Sequence, residues 1–325
     1  MQCVPATMQW SNHETRSSET HPRSQTDDRA AGEPRPNGPL AGRREPGAKA
    51  GRGALASKWE PVSEALGTAV GYAVAPWFAL TSTLRRARTF HPCGDLADAV
   101  VEPHPLVADR DRPLAERLAG RALVRLSDAL SKGKARWPDA LGASVRFGAD
   151  HAHLDGDQDL LFITSRRLWT LPFALLTTHV CDYLANDYFA ISPFSAPGSA
   201  CAYFRLRPTH PARVDAPRSE TARMSRPAHR RLRLTNAIAN GAGELVLGIS
   251  TDPYGPFRPV ARLHLEGVFA DRPAELRYDP YRAGRGIHPR GFVNGVRRGP
   301  YAASQWARGR LRHPNGAGCP ACDSP

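Results

Sequence analysis

The chain has 325 residues, with 44 Lys plus Arg against 31 Asp plus Glu, a net charge of +13 and 41% apolar residues. That length suits one large domain or two small ones, and the apolar share is enough for a real core. The arginines are scattered, with no compact basic helix, no aromatic-interleaved RNA-binding signature and no zinc-finger spacing; the charge therefore argues against a nucleic-acid partner and leaves room for a small anionic ligand gripped by guanidinium groups.

Residues 1–57 are rich in Pro, Gly and Arg and almost devoid of aliphatic side chains, so this arm cannot offset its ordering entropy and is expected to be disordered. No apolar stretch follows Met1, which argues against a secretory signal. Order is expected over 58–310, opening with a helical pattern in SKWEPVSEAL whose acidic residues suit the positive end of a helix dipole. Residues 311–325 read as a flexible tail. The apolar run ALGTAVGYAVAPWFALTSTL, 65–84, is interrupted by hydroxyl residues and by Pro76, so it predicts a packed helix in two pieces rather than a membrane span.

Beyond that run the chain turns extended, Pro92 biasing His91 toward β or polyproline geometry. Strand-like runs follow in RALVRLS, ASVRFG, DLLFIT, ACAYFRLRP, GELVLGIST, VARLHLEG and AELRY. Turn residues separate most of them, which predicts an antiparallel sheet or barrel. Residues 166–190 and 229–241 look helical or mixed, and 209–228 reads as a loop, so the class is α+β. In RALVRLS the strand period sends Arg125 and Ser127 to one face and Val124 and Leu126 to the other. If the first face is enclosed, a guanidinium and a hydroxyl share a ligand pocket; if it faces solvent, they carry no function.

Cysteines at 3, 93, 181, 201, 319 and 322 follow no regular spacing, which predicts reduced thiols and a cytoplasmic protein. Cys319 and Cys322 form a lone CxxC with no second pair to complete a zinc site, and read as an incidental tail. DHAHLDGDQD, Asp150 to Asp159, alternates carboxylates with imidazoles and could hold a cation for a phosphodiesterase-like hydrolase. Its plainer reading is a solvated turn between strands. Arg297 stands four residues before Tyr301, and Arg308 seven after. Alone that spacing is weak.

Five segments, in order, resemble the haem-binding core of the catalase family, which includes the haem-dependent allene oxide synthases. RTFHPCG, Arg88 to Gly94, is similar to the family's R-x-x-H-x-x-G, and VRLS, Val124 to Ser127, to its V-R-F-S. DALGASVRF, Asp139 to Phe147, resembles D-P-R-G-F-A-V-K-F, and GDQDL, Gly156 to Leu160, resembles G-N-W-D-L. Arg297, Tyr301 and Arg308 match the segment of the proximal ligand. The resemblance implies a catalase-like antiparallel β-barrel with flanking helices, haem b as cofactor, and hydrogen peroxide or an organic hydroperoxide as substrate. Tyr301 would be the iron ligand as phenolate, favoured by Arg297. His91 would be the distal acid and base, oriented by Ser127, and Arg88, Arg125 and Arg308 would pair with the haem propionates.

Two departures stand out. The family's distal asparagine is replaced by Thr164, whose hydroxyl has a shorter reach, so efficient dismutation of hydrogen peroxide is not implied. Pro300 predicts a helix that starts there and leaves Arg297 outside it. A binding or sensing protein on the same barrel, without turnover, stands as the alternative. The oligomeric state is open.

Overall fold

In the computed structural model, the residues described are 62–70, 72–73, 94–129, 139–148, 156–209, 224–269, 276 and 278–310. The arm 1–57, the tail 311–325, Arg88, His91 and most of 65–84 lie outside them.

Ten strands are present among these residues. They are β1 (Gly94–Pro103), β2 (Gly120–Asp128), β3 (Leu141–Phe147), β4 (Gln158–Ile163), β5 (Tyr188–Phe189), β6 (Phe194–Ala196), β7 (Ser199–Pro208), β8 (Glu244–Ser250), β9 (Arg258–Val268) and β10 (His288–Pro289). The sheet order runs β10-β6-β7-β5-β4-β3-β2-β1-β9-β8, and a further pairing of β7 with β8 closes eight of the strands into an antiparallel barrel. Closure leaves no open edge among those eight. Helices flank the barrel: α1 over 62–70, α2 (Arg112–Leu118), α3 (Leu171–Thr177), α4 (Arg226–Ala239) and α5 (Gly291–Arg310).

Alternation explains the core. Ala97, Ala99 and Val101 of β1, Ala122, Val124 and Leu126 of β2, and Ala143, Val145 and Phe147 of β3 lie every second residue along their strands and are buried in one cluster. Phe204 and Leu206 of β7, Leu245 and Leu247 of β8 and Leu263 of β9 complete it from the far wall. Leu114, Ala115 and Leu118 of α2 also join this cluster. Arg125 and Ser127 therefore face outward from the barrel, yet they are covered, at 9% and 1% exposed.

Some expectations change. β1 was not among the expected strands, because Asp95, Asp98 and Glu102 interrupt its apolar pattern; it nonetheless sits between β2 and β9. In AELRY the described Leu276 and Tyr278 belong to no strand and instead pack against Leu96 and Leu123 on the outer wall. The helix expected to begin at Pro300 begins at Gly291 and runs through that proline, so Arg297 is inside it. Tertiary contacts hold the earlier half. Asn294, buried, donates to the carbonyl oxygens of Pro193 (3.1 Å) and Arg290 (3.0 Å), while the hydroxyl of Tyr281 donates to Asn294 O. These offset the intrahelical hydrogen bond that proline removes. Cys181 is disulfide-bonded, against the expectation of reduced thiols throughout. A disulfide depends on two Cβ atoms meeting in space, which spacing along the chain does not reveal. Among the described residues, no helix is long and apolar enough to cross a membrane.

Candidate functional site

The outer face of β1 to β4 is built in registered rows. Gly94 pairs with Ser127, Ser127 with Gly142, and Gly142 with Ile163. In the next row Leu96, Arg125, Ser144 and Leu161 stand side by side, and in the third Asp98, Leu123, Arg146 and Asp159. The first row thus carries no side chain larger than a hydroxymethyl until Ile163. Gly94 has a physical reason to be glycine, because a Cβ there would lie 2.5 Å from the carbonyl oxygen of Leu126 and 2.7 Å from the Cβ of Ser127. The Ser127 hydroxyl lies 3.5 Å from the carbonyl oxygen of Gly142, the limit of hydrogen-bonding reach.

The third row ends in a buried ionic network. Arg146 Nε donates to Asp159 Oδ1 at 3.0 Å, and Arg282 and the backbone N–H of Asp279 converge on Asp159 Oδ2 at 2.5 and 2.8 Å. The Arg146 guanidinium lies 5.3 Å from the centre of the Tyr278 ring, whose hydroxyl donates to Leu123 O. Burial raises the pKa of Asp159, against the pull of these cations. A carboxylate so committed is not a ready cation ligand, which weakens the hydrolase reading of DHAHLDGDQD; residues 150–155 of that stretch lie outside the described ones. No group of three or more residues able to hold a metal occurs among the described residues.

Thr164 is placed just past β4, and its one hydroxyl proton is engaged. It accepts from the N–H of Leu141 (3.0 Å) and contacts the hydroxyl of Thr178 (2.8 Å), which itself donates to Ala174 O (2.6 Å). Since Thr178 has one proton and gives it to Ala174, Thr164 is the donor in the pair. The relay ties β3 and β4 to the end of α3.

Arg297 and Tyr301 lie one turn apart along α5, and Arg308 follows two turns later. The helix is seated by α1. A Cβ on Gly67 would fall 2.3 Å from the carbonyl oxygen of Phe292, and one on Gly295 would fall 2.5 Å from that of Glu64. Arg298 reaches Glu64 at 3.9 Å and lies over the Tyr281 ring. The structure therefore brings Arg125 and Ser127 together on one wall, and Arg297 with Tyr301 on one helix. Arg88 and His91 precede β1 outside the described residues.

A second cluster escaped the sequence reading. Asp128, buried at the end of β2, is ion-paired with Arg230 of α4, whose guanidinium lies over the Tyr183 ring and donates to Val180 O at 2.7 Å. Asp95 receives Arg231 at 2.6 Å, and Arg233 reaches Asp182 at 2.8 Å. Burial lifts the Asp128 pKa to about 6, opposed by Arg230 and assisted by Asp139 and Asp95. Burial also pushes the Tyr183 phenol upward. A cavity of about 360 Å³ opens here, bounded by Gly94, Asp95, Tyr183, Met224, Arg230 and Arg231. The available signal was the strand period itself, which puts Asp128 on the apolar face of Val124 and Leu126, where a carboxylate needs a buried partner.

No protein family and no curated protein matches the chain. Among solved structures it is similar to a fungal catalase, with a TM-score of 0.47 and 15% identity over 75% of this chain and 64% of that one. A bacterial catalase is similar at a TM-score of 0.46 and 15% identity, over 75% and 62% of the two chains. The chain thus spans under two thirds of the length of either.

Proposed function

We propose that this chain is a haem protein that reacts with hydrogen peroxide or an organic hydroperoxide. One observation carries the reading. The segments VRLS, DALGASVRF and GDQDL, scattered over the sequence, lie side by side on β2, β3 and β4 in register, Gly94, the last residue of RTFHPCG, opens β1 beside Ser127, and the first row of their shared outer face is glycine and serine next to the covered Arg125.

The donor set suits the cofactor. A flat macrocycle needs a flat wall, which Gly94, Ser127 and Gly142 supply, and its acidic edge needs guanidinium groups, for which Arg125, Arg88 and Arg308 stand. Tyr301 would hold the iron through its phenolate, and Arg297 one turn earlier would favour the anion. When bound, haem supplies a redox-active iron able to act on an O–O bond. His91 would take the proton from the hydroperoxide O–H and return it to the departing oxygen, with Ser127 orienting the imidazole. Thr164, its hydroxyl engaged with Leu141 and Thr178, would shape the wall rather than hydrogen-bond to substrate.

The test is an absorption spectrum of the chain produced with a haem precursor. A Soret band with a ferric tyrosinate charge-transfer band, lost or shifted in Tyr301→Phe, is the expected result. A colourless protein, or an unchanged spectrum in the variant, overturns the assignment. A coloured protein that turns over neither hydrogen peroxide nor a lipid hydroperoxide would be a haem-binding or sensing protein instead.

A further inference from the structure

Helix α3 wears its apolar residues on the outside. Trp169 in the turn before it, Phe173 and Leu176 are 64%, 69% and 76% exposed, at spacings of four and three residues that align them along one side. Ala174, 5% exposed, marks the inner side. Tyr254, 60% exposed on the turn between β8 and β9, extends the stripe.

Arginines join the two. The Arg167 guanidinium lies 5.2 Å from the centre of the Trp169 ring and 4.8 Å from that of Tyr254. Arg166 donates to the carbonyl oxygens of Pro253 (2.7 Å) and Gly255 (3.2 Å), holding that turn against the start of α3. The Thr164–Thr178 contact fixes the other end of the helix to the barrel. The stripe is therefore presented on a rigid support. From Leu160 to Cys181 the sequence has no acidic residue, Asp252 two residues before Tyr254 being the acid on the adjoining turn, and the chain carries +13 overall.

We propose that this face docks on an anionic phospholipid surface. Trp, Phe and Leu on one side of a short helix enter the headgroup boundary, Tyr suits the same depth, and Arg167 lies along the Trp169 and Tyr254 rings while its charge meets lipid phosphate. A two-fold pairing of two copies through the same face would bring their Arg166 and Arg167 together, which charge repulsion opposes. The mode is peripheral, and it is independent of haem.

The experiment is co-sedimentation of the full chain with vesicles of phosphatidylcholine alone and of phosphatidylcholine mixed with phosphatidylglycerol. The chain is expected to sediment with the mixed vesicles, and added salt is expected to weaken the association. Trp169→Ser with Phe173→Ser and Leu176→Ser should lower the bound fraction about tenfold or more. Leu106→Ser, 78% exposed elsewhere, should leave it unchanged. Phe173→Ser alone, expected at about threefold, serves if the triple variant melts early. Equal binding to both vesicle types, or binding untouched by the stripe variants, overturns the proposal. So does a stripe variant that changes only the molecular mass in solution, which would make the face a contact between copies.

Discussion

Arg146 and Asp159 face each other across β3 and β4 as an ion pair of 3.0 Å in which neither side chain has any exposure. The two partners are not equally replaceable. Arg146→Met leaves Asp159 with Arg282 and the N–H of Asp279, whereas Asp159→Ala takes the shared carboxylate from both guanidiniums. Asp159→Ala is expected to cost about 3–5 kcal/mol and Arg146→Met less. Urea denaturation of the two variants measures the difference, and a larger loss for Arg146→Met would overturn the asymmetry.

Asp128 sets a pH dependence. Its pKa is lifted from 3.8 to about 6 in the folded chain, chiefly by burial, so between those values the folded state holds the proton that the unfolded state releases. Its contribution to stability is therefore greatest in acid and falls as pH rises through the window of about 4 to 6, by at most about 3 kcal/mol. Asp128→Asn removes that slope. Denaturation at about pH 3.5 and about pH 7, on either side of the window, should show the wild-type minus variant stability dropping between them; a constant difference would contradict the assignment.

Gly67 and Gly295 let α1 and α5 meet backbone to backbone. Gly295→Val drives a side chain toward Glu64 O and Thr68 N, each within 2.8 Å of a Cβ there, and is expected to cost about 1–3 kcal/mol. Because α5 carries Tyr301, the proposed iron ligand, the same variant should, on the proposed haem reading, lose haem more readily. Thermal melting and Soret absorbance after dialysis check both outcomes.

Thr164→Val breaks the relay from Leu141 to Ala174 and leaves a covered N–H without its acceptor, at about 1–3 kcal/mol. On the proposed haem reading, the rate per bound haem should hold. Peroxide turnover normalised to the Soret band tests this, and a fall in rate with stability intact would place the hydroxyl at the reacting centre.

Much of the barrel was legible because its strands keep a strict two-residue period, as in Val124 and Leu126 against Arg125 and Ser127. β1 was not, since its acids find partners only through folding: Arg231 meets Asp95, and Arg121 meets Asp98. Local chemistry at Pro300 likewise argued for a helix start, and contacts from Pro193, Tyr281 and α1 overrode it. The Asp128 cluster draws on β2, α4 and the turn at Tyr183, three segments far apart in the chain.

By itself the sequence determined the strand periods and the facing of Arg125 with Ser127, because each depends only on neighbours a few residues away. Only the tertiary structure decided that the Arg125 face is the covered outside of the barrel, that Arg146 and Asp159 neutralise each other, and that Trp169, Phe173 and Leu176 stay in solvent. Burial and pairing belong to surfaces that meet after closure, and no local pattern records which surfaces those are.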